Sequence, residues 1–436
     1  MFDGESGFMK DISSLIRAQL KADHIAFLKS VADVAAHNQV SVYVVGGFVR
    51  DLLLNIKNVD IDLVVEGDGI VFAEKLAEKF NGRTSMYKKF GTATLMLQGQ
   101  PNIDVATART ESYSRPASLP DVEPSTIKLD LARRDFTANS MAVKLSERGT
   151  FYLIDLFGGE IDLKNGLIRI LHDRSFVDDP CRIFRAIRFE QRFEFYMEGQ
   201  TKQLMRSAIE NNLIVKLSGD RLMNEIKILL SEADPVRCVD RMRELSLLQT
   251  IAPEIFDDDF HWTIMKKVDS ALGWADTIPM TTKPEAWFVY FHTLFMVTDD
   301  EVFEGMMMRL NFPSNIYGRM CLDRECFVEA MHDLSEEREL KPSEIYDIFS
   351  KQSSETVILL LAACSNKRMK EYVELYFKKY CASAKIELSG DDLIGMGMEP
   401  GSSFNDVFKV LRDARVNGQV TSRDEEIVLV ESQFLK

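Results

Sequence analysis

The chain has 436 residues, 46% apolar and 28% charged, an ordinary globular composition with length enough for two to four domains. Its formal charge of −15 rules out sequence-independent coating of nucleic acid but not a local basic stripe, because residues 251–436 alone hold 20 basic against 33 acidic residues. No apolar stretch approaches bilayer length, the start MFDGESGFMKD lacks the sections of a signal peptide, and six scattered cysteines and six histidines form no zinc pattern, so a reduced, cytoplasmic protein with no membrane partner is expected.

Leu15, Leu20, Ile25, Leu28 and Val31 recur at roughly helical spacing, predicting one helix or two over residues 9–38. A β-rich run at 42–45 then stops at Gly46-Gly47. Paired glycines permit a tight turn and close backbone approach, and residues 48–54 read as a helix start whose free N–H groups suit phosphate. Residues 59–65 alternate as a strand, sending Asp60 and Asp62 to one face and Ile61 and Leu63 to the core. Neighbouring carboxylates repel and resist desolvation, and a cation resolves that conflict; oxygen ligands suit Mg²⁺ held together with substrate phosphates. Singly, a GG turn is common and a D-x-D strand is more often the solvated face of an amphipathic edge. Their combination as strand–GG–helix–strand is far more specific.

Residues 70–80 predict a helix closed by Asn81-Gly82, and 84–97 predict strands around the segment 87–93. The strand expected at 102–107 carries Asp104, placed to join Asp60 and Asp62. Arg109, Glu111 and Tyr113 open a polar, proline-containing loop reaching about residue 128, a length that is usually functional or mobile. In the string Arg133-Arg134-Asp135-Phe136-Thr137-Ala138-Asn139, a helix would set Asp135 and Asn139 one turn apart, and the arginines could clamp triphosphate oxygens. Asp135 could accept a hydrogen bond from a ribose 2′-hydroxyl. Asp178 or Asp179 caps a helix begun by Pro180, along which Arg182, Arg185, Arg188 and Arg192 share a third of the circumference, with Ile183 and Ile187 opposite. This is the basic stripe, and four arginines without a lysine favour directed phosphate or base recognition over a solvated face. Arg221 and Glu225, one turn apart, read as a helix-stabilising pair, and an apolar helix is expected at 239–248. From residue 235 onward the pattern is helical, with breaks at Pro253, Pro279, Pro313 and Pro342.

G-G-x-V-R-D at 46–51, including Arg50, followed by D-x-D at 60–62, resembles the head domain of class II tRNA nucleotidyltransferases. That group comprises CCA-adding, A-adding and CC-adding enzymes and related bacterial poly(A) polymerases. The likeness continues through R-R-D-F-T-x-N-x-M at 133–141 and D-x-x-G-G-x-x-D-L at 155–163, and reaches D-D-x-x-R at 178–182, where Asp178 replaces the family's Glu. It implies an α/β head, a small mixed sheet with the acids on adjacent strands, over residues 1–165. An all-helical neck (166–250), body (251–385) and tail (386–436) would follow, with residues 155–163 a flexible hinge between head and neck.

The resemblance further implies Asp60, Asp62 and Asp104 as catalytic carboxylates. Asp60 and Asp62 would hold Mg²⁺ in a two-metal site, one ion activating an RNA 3′-hydroxyl and the other neutralising the triphosphate. Gly46, Gly47, Arg50, Arg133, Arg134, Asp135 and Asn139 would bind nucleotide and phosphate, Asp179 and Arg182 would read the base, and Arg109, Glu111 and Tyr113 would belong to a flexible loop. The intact loop and the F-G-T-A segment at 90–93 point to a tRNA-directed enzyme able to add A. The implied function is template-independent addition of CCA, or of its terminal A, to the acceptor end of tRNA from CTP and ATP, with no DNA partner. An A-adding enzyme acting only on CC-ended tRNA, a poly(A) polymerase and a non-catalytic RNA-binding relative are the alternatives.

Overall fold

The structure, a computed structural model, describes residues 9–57, 60–251, 259–296, 298–335, 338–364 and 366–435. They form two compact units: one runs to Glu225 and includes Glu244–Ile251, and the other takes Ile226–Arg243 and the described residues beyond. In the first unit, β1 (Met9–Asp11), α1 (Ser13–Gln19) and α2 (Ala22–His37) precede β2 (Ser41–Val45), α3 (Gly47–Leu53), β3 (Asp62–Glu66) and α4 (Gly69–Phe80). Next come β4 (Arg83–Tyr87), β5 (Thr92–Met96), β6 (Ile103–Thr107), β7 (Arg109–Ser112), β8 (Asp121–Pro124), α5 (Ile127–Ala132), β9 (Met141–Leu145), β10 (Phe151–Asp155) and α6 (Gly159–Lys164). The remainder is mainly helical: β11 (Leu167–Ile168), α7 (Ser175–Asp178), α8 (Cys181–Phe193), β12 (Tyr196–Met197), α9 (Gly199–Glu210) and α10 (Gly219–Leu230), whose residues from Ile226 belong to the second unit.

The expected mixed sheet is present, with eight strands in the order β1-β10-β9-β2-β3-β6-β5-β4. Every pairing is antiparallel except β3 with β6. A parallel pair needs a crossover, and α4 with the β4–β5 hairpin supplies it. Asp68 caps α4 by accepting from the Ile70 and Val71 amides, and Asn81 ends it in the left-handed conformation. Strand alternation then feeds two cores. Val42, Val44, Leu63 and Val65 pack with Leu28, Val31, Phe72 and Leu76, whereas Tyr43, Val45 and Val64 pack with Ile127 and Leu131 of α5. Each fully buried aliphatic or aromatic side chain contributes about 1.5–3 kcal/mol. Asp62 shares its strand face with buried Val64, so that face is no solvated edge.

Several local expectations change. Strand β3 begins at Asp62, so Asp60 lies just before it; Val59 lies outside the described residues. Residues 109–128 are not an open loop. Strands β7 and β8 pair from Arg109↔Pro124 to Ser112↔Asp121, because main-chain bonds are the simplest way to satisfy so long a segment. The stretch 133–139 is not an α-helix either, since α5 ends at Ala132 and a 3₁₀ turn spans Thr137–Asn139. The expected hinge is pinned: Asp155 accepts from the Gly159 and Glu160 amides, and buried Asp162 accepts from Thr137 and Arg169. Strand β1, too short to show periodicity, pairs with β10.

In the second unit every regular element among the described residues is helical. The helix Ser354–Ala363 is buried from Glu355 to Ala362, as its apolar composition on all sides requires. Left-handed Ser246, in the segment that returns to the first unit, divides the helix expected at 239–248 into Pro235–Glu244 and Leu247–Ile251. Pro279 and Pro313 lie between helices and Pro342 opens one, while Pro253 lies outside the described residues. The six cysteines form no disulfide; Cys181, Cys238 and Cys326 are buried and Cys381 is exposed. No helix among the described residues is long and apolar enough to cross a membrane.

Gly69 seats α4 directly on β6, its amide donating to Thr107 Oγ1 at 2.9 Å. A Cβ there would stand 2.6 Å from the Thr107 nitrogen and 2.7 Å from the Ala106 carbonyl carbon, neither of which can yield without moving the strand. Gly69→Ala should therefore cost about 1–3 kcal/mol, the usual range for overpacking, as read from urea denaturation midpoints at unchanged m-value.

Candidate active site

Strand β2 delivers the chain to Gly46, whose φ of +70° and ψ of −134° are strained for any residue with a Cβ. A Cβ here would lie 3.3 Å from Arg134 Nη1 and 3.7 Å from Asp62 Oδ2. The turn thus brings bare backbone, a guanidinium and a carboxylate together. Sheet register completes the carboxylate side: Asp62 stands opposite Val45 on β2 and opposite Asp104 on β6. Burial, and then the neighbouring Asp60 and Asp104 charges, push the Asp62 carboxyl up to about 6, against the opposing pull of Arg134. Asp104 is exposed, and its Oδ1 accepts from Thr94 Oγ1 at 2.7 Å.

Among the described residues no three His, Cys, Asp or Glu side chains converge closely enough to hold an ion between them. The donor chemistry of Asp60, Asp62 and Asp104 nevertheless fits Mg²⁺. These are hard oxygen ligands whose mutual repulsion, visible at Asp62, a divalent cation would relieve.

Around the glycine turn, arginines alternate with buried acids. Asp130, with 0% exposure, accepts from Arg133 Nη2 at 2.7 Å through Oδ1 and from Arg134 Nη2 at 2.9 Å through Oδ2. Burial pushes the Asp130 carboxyl up, but the two guanidiniums outweigh it and hold the pKa below the ordinary value. Arg133 Nη1 also donates to Glu111 Oε1 at 2.7 Å, and Tyr113 donates to Glu111 Oε2 at 3.0 Å. Arg109 reaches away, to Phe90 O and Glu111.

A second chain of contacts starts at Asp51. It accepts from Arg50 Nε at 2.8 Å; Arg50 Nη1 donates to Asn139 Oδ1 at 2.8 Å; and Asn139 Nδ2 donates to Asp135 Oδ1 at 3.0 Å. Asp135 and Asn139 therefore meet as expected, although no helix joins them. Asp135 Oδ2 is taken by Arg185 Nε and Nη2 at 2.8 and 2.6 Å. Burial pushes this carboxyl up too, but Arg185 and Asn139 hold it below its ordinary value. A ribose hydroxyl approaching Asp135 would have to share it with that guanidinium.

These groups line a cavity of about 490 Å³, a size common for small-molecule sites. Gly46, Gly47, Arg50, Asp62 and Asn139 line its sheet side, and Arg133, Arg134 and Asp135 the adjoining turn. Arg182, Arg185, Arg188 and Arg192 of α8 line it as one stripe, backed by fully buried Ile183 and Ile187. Asp179, Glu111 and Tyr113 complete the predicted set, while Asp60, Asp104 and Arg109 lie outside the lining.

Arg182 and Asp179 are both held. Arg182 donates to Ser175 Oγ and to Arg133 O, each at 2.6 Å, and Asp179 Oδ1 accepts from the Cys181 amide and from Arg221 Nη2 at 2.6 Å. Arg221 thus pairs with Asp179 rather than with Glu225 one turn away. Phe189, four residues beyond Arg185, was not anticipated. Its ring lies 5.1 Å from the Arg50 and 5.5 Å from the Arg185 guanidinium carbon, and its place on the arginine face was the available signal. Asp130 was missed as well, though its i,i+4 spacing to Arg134 could have revealed it.

Asp130→Asn should leave Arg133 and Arg134 without their shared charge and lower stability by roughly 3 kcal/mol, as in other broken buried pairs. A folded pKa below the unfolded value means that wild-type stability from this group is full above about pH 4 and fades as pH falls through the folded value. Melting curves of both proteins should therefore converge on acidification and differ most near neutral pH.

A family model described as Poly A polymerase head domain matches residues 42–169, and one described as a probable RNA and SrmB-binding site of polymerase A matches 194–258. An A-adding tRNA nucleotidyltransferase of Geobacter sulfurreducens is 37% identical over 96% of this chain, which spans only 48% of that protein. One of Halalkalibacterium halodurans is 28% identical, with 99% of this chain and 97% of the relative covered. A solved CCA-adding enzyme, apo form II, superposes with a TM-score of 0.84 at 34% identity, covering 98% of this chain and all of the other. The Thermotoga maritima CCA-adding enzyme complexed with tRNA gives 0.78 at 32% identity, with 98% and 100% covered. A glycine turn beside paired strand aspartates, an arginine-lined cavity and this whole-chain similarity agree: the chain belongs to the tRNA nucleotidyltransferase and poly(A) polymerase family.

Proposed function

We propose that the protein transfers nucleotides without a template from CTP or ATP to the 3′ end of tRNA, adding CCA or its terminal A. The cavity carries this reading, because a single space joins the glycine turn, Asp62, a row of arginines and Asp179. Solved relatives are described in complex with ATP, with CTP and with tRNA, which supports the same substrates. A-only addition is the second reading, favoured by the A-adding names of the relatives from three organisms. On either reading the protein works in the cytoplasm.

In this proposal Asp60 and Asp62 would hold Mg²⁺, with Asp104 on the neighbouring strand. Bound there, the metal would activate the attacking 3′-hydroxyl and offset charge on the triphosphate. The protein's own contribution is mainly placement. Gly46 and Gly47 admit phosphate close to the backbone, while Arg133 and Arg134, kept rigid by Asp130, offer donors from fixed positions. Attack of the 3′-hydroxyl oxygen on the α-phosphorus forms the new ester bond and breaks the α–β anhydride bond, so that pyrophosphate is released and the hydroxyl proton passes to solvent.

Base choice follows from donor and acceptor order. Cytosine and adenine both present an amino donor beside a ring-nitrogen acceptor, whereas uracil and guanine present a carbonyl beside an N–H. An ionised Asp179 only accepts and Arg182 only donates, so the pair matches C and A. Against U or G, like groups would face each other at roughly 1–3 kcal/mol for each buried mismatch.

Supplied separately with CTP and ATP, tRNA ending before CCA and tRNA ending in CC should both be extended by a full CCA-adding enzyme. Extension of the CC-ended tRNA alone assigns A-only addition, and extension of neither refutes the proposal. Asp62→Ala should slow addition about 1,000-fold, roughly 4 kcal/mol, with tRNA retention on filters unchanged. Asp179→Ala and Arg182→Ala should relax the preference for CTP and ATP over UTP and GTP in single-nucleotide assays. An unaltered preference in both would remove them as the base readers.

A further inference from the structure

We propose that Arg221 is a positioning residue that sets base specificity by clasping the β7–β8 connection to Asp179. The inference rests on the nucleotidyltransferase reading above, and what carries it is a single guanidinium with two unlike partners. Arg221 Nη1 donates to the carbonyl of Ala117 at 2.9 Å, and Nη2 donates to Asp179 Oδ1 at 2.6 Å. Ala117 lies in the connection between β7 and β8, and Asp179 lies where α7 passes into α8. These segments are 62 residues apart in sequence, and Arg221 spans the gap from a third element, α10.

Both ends of the clasp are unusual. Ala117 holds a left-handed backbone, φ +62°, that residues with a Cβ rarely adopt, and it is 8% exposed. Its carbonyl is therefore presented to Arg221 in a conformation the surroundings must maintain. At the other end, the Arg221 bond and the Cys181 amide converge on the same oxygen of Asp179, Oδ1. That fixes the plane of the carboxylate and so the direction of its other oxygen. Tyr113, at the foot of the same connection, lines the cavity beside Arg182 and Asp179.

A shift of the connection would carry Arg221 with it and re-aim Asp179, whereas loss of Arg221 would let the two move independently. The clasp needs a planar fork with two separate donors, which lysine lacks. Helix stabilisation through Glu225 would instead make Arg221 indifferent to the base.

The test compares wild type, Arg221→Lys, Arg221→Gln and a chain in which residues 114–119 are replaced by Gly-Gly. Each receives CC-ended tRNA and one nucleoside triphosphate at a time. Melting curves and filter retention of tRNA are read on the same proteins. Arg221→Gln should lower the ratio of ATP to UTP and GTP incorporation at least tenfold, and Arg221→Lys should fail to restore it. Combining Arg221→Gln with the loop replacement should lower the ratio no further than the replacement alone, since both break one connection. If rates fall equally for all four nucleotides at an unaltered ratio, or the two changes multiply, the inference is overturned. A wild-type protein that adds nothing overturns the function reading and this inference with it; an active wild type whose variants keep its preference overturns only this one.

Discussion

Crowding guanidiniums around one cavity is electrostatically unfavourable unless each charge is answered close by, and this requirement shapes the first unit. Arg50 is answered by Asp51, Arg133 and Arg134 by Asp130, Arg133 also by Glu111, and Arg185 by Asp135. Asp51 and Asp130 are buried and stay out of the cavity lining, whereas Asp135 and Glu111 reach it, so the bonds restrain the guanidiniums with carboxylate charge on only part of the cavity wall. Buried pairs of this kind add little net stability, since desolvation consumes much of their attraction, but removing one member is costly. Their value here is fixed direction.

The same pairs join parts of the first unit that are distant in sequence. Arg185 on α8 grips Asp135, Arg182 donates to the Arg133 carbonyl, and Arg50 lies 5.1 and 4.7 Å from the rings of Phe189 and Phe193. Cation–π contacts contribute about 0.5–2 kcal/mol each, the more so where water is excluded. Sheet and helix α8 are consequently held as one body around the cavity, and the pinned Asp155–Asp162 connection agrees with that rigidity.

The second unit has different physics. Its acids are spent within the helical packing: Asp323 accepts from buried His292 at 3.1 Å, and fully buried Glu426 accepts from Arg415 and from the amides of Glu387 and Leu388. Burial pushes the Asp323 carboxyl up, but His292, Ser353 and Arg319 together outweigh it and hold the group below its ordinary value. Much of the chain's net acidity thus belongs to the second unit and not to the unit that carries the arginine-lined cavity, which is how a chain of −15 can still offer a basic site.

Sequence alone determined the features that depend on spacing. Glycines at 46–47, the helix closed by Asn81, the strand bearing Asp104 and the arginine face of α8 all follow from local periodicity and turn chemistry, and each appears as read. Features needing a distant partner were not legible. Residues 109–128 form a ribbon because β8 returns to pair with β7, and Asp135 is sequestered because Arg185 arrives from 50 residues away. Arg221 reads as a helix pair with Glu225, since one-turn spacing is visible in sequence and a carboxylate 42 residues upstream is not. Spacing fixes which face a side chain occupies; only the closed fold decides which of several eligible charges it meets there, because that choice is made by competing long-range contacts and by burial.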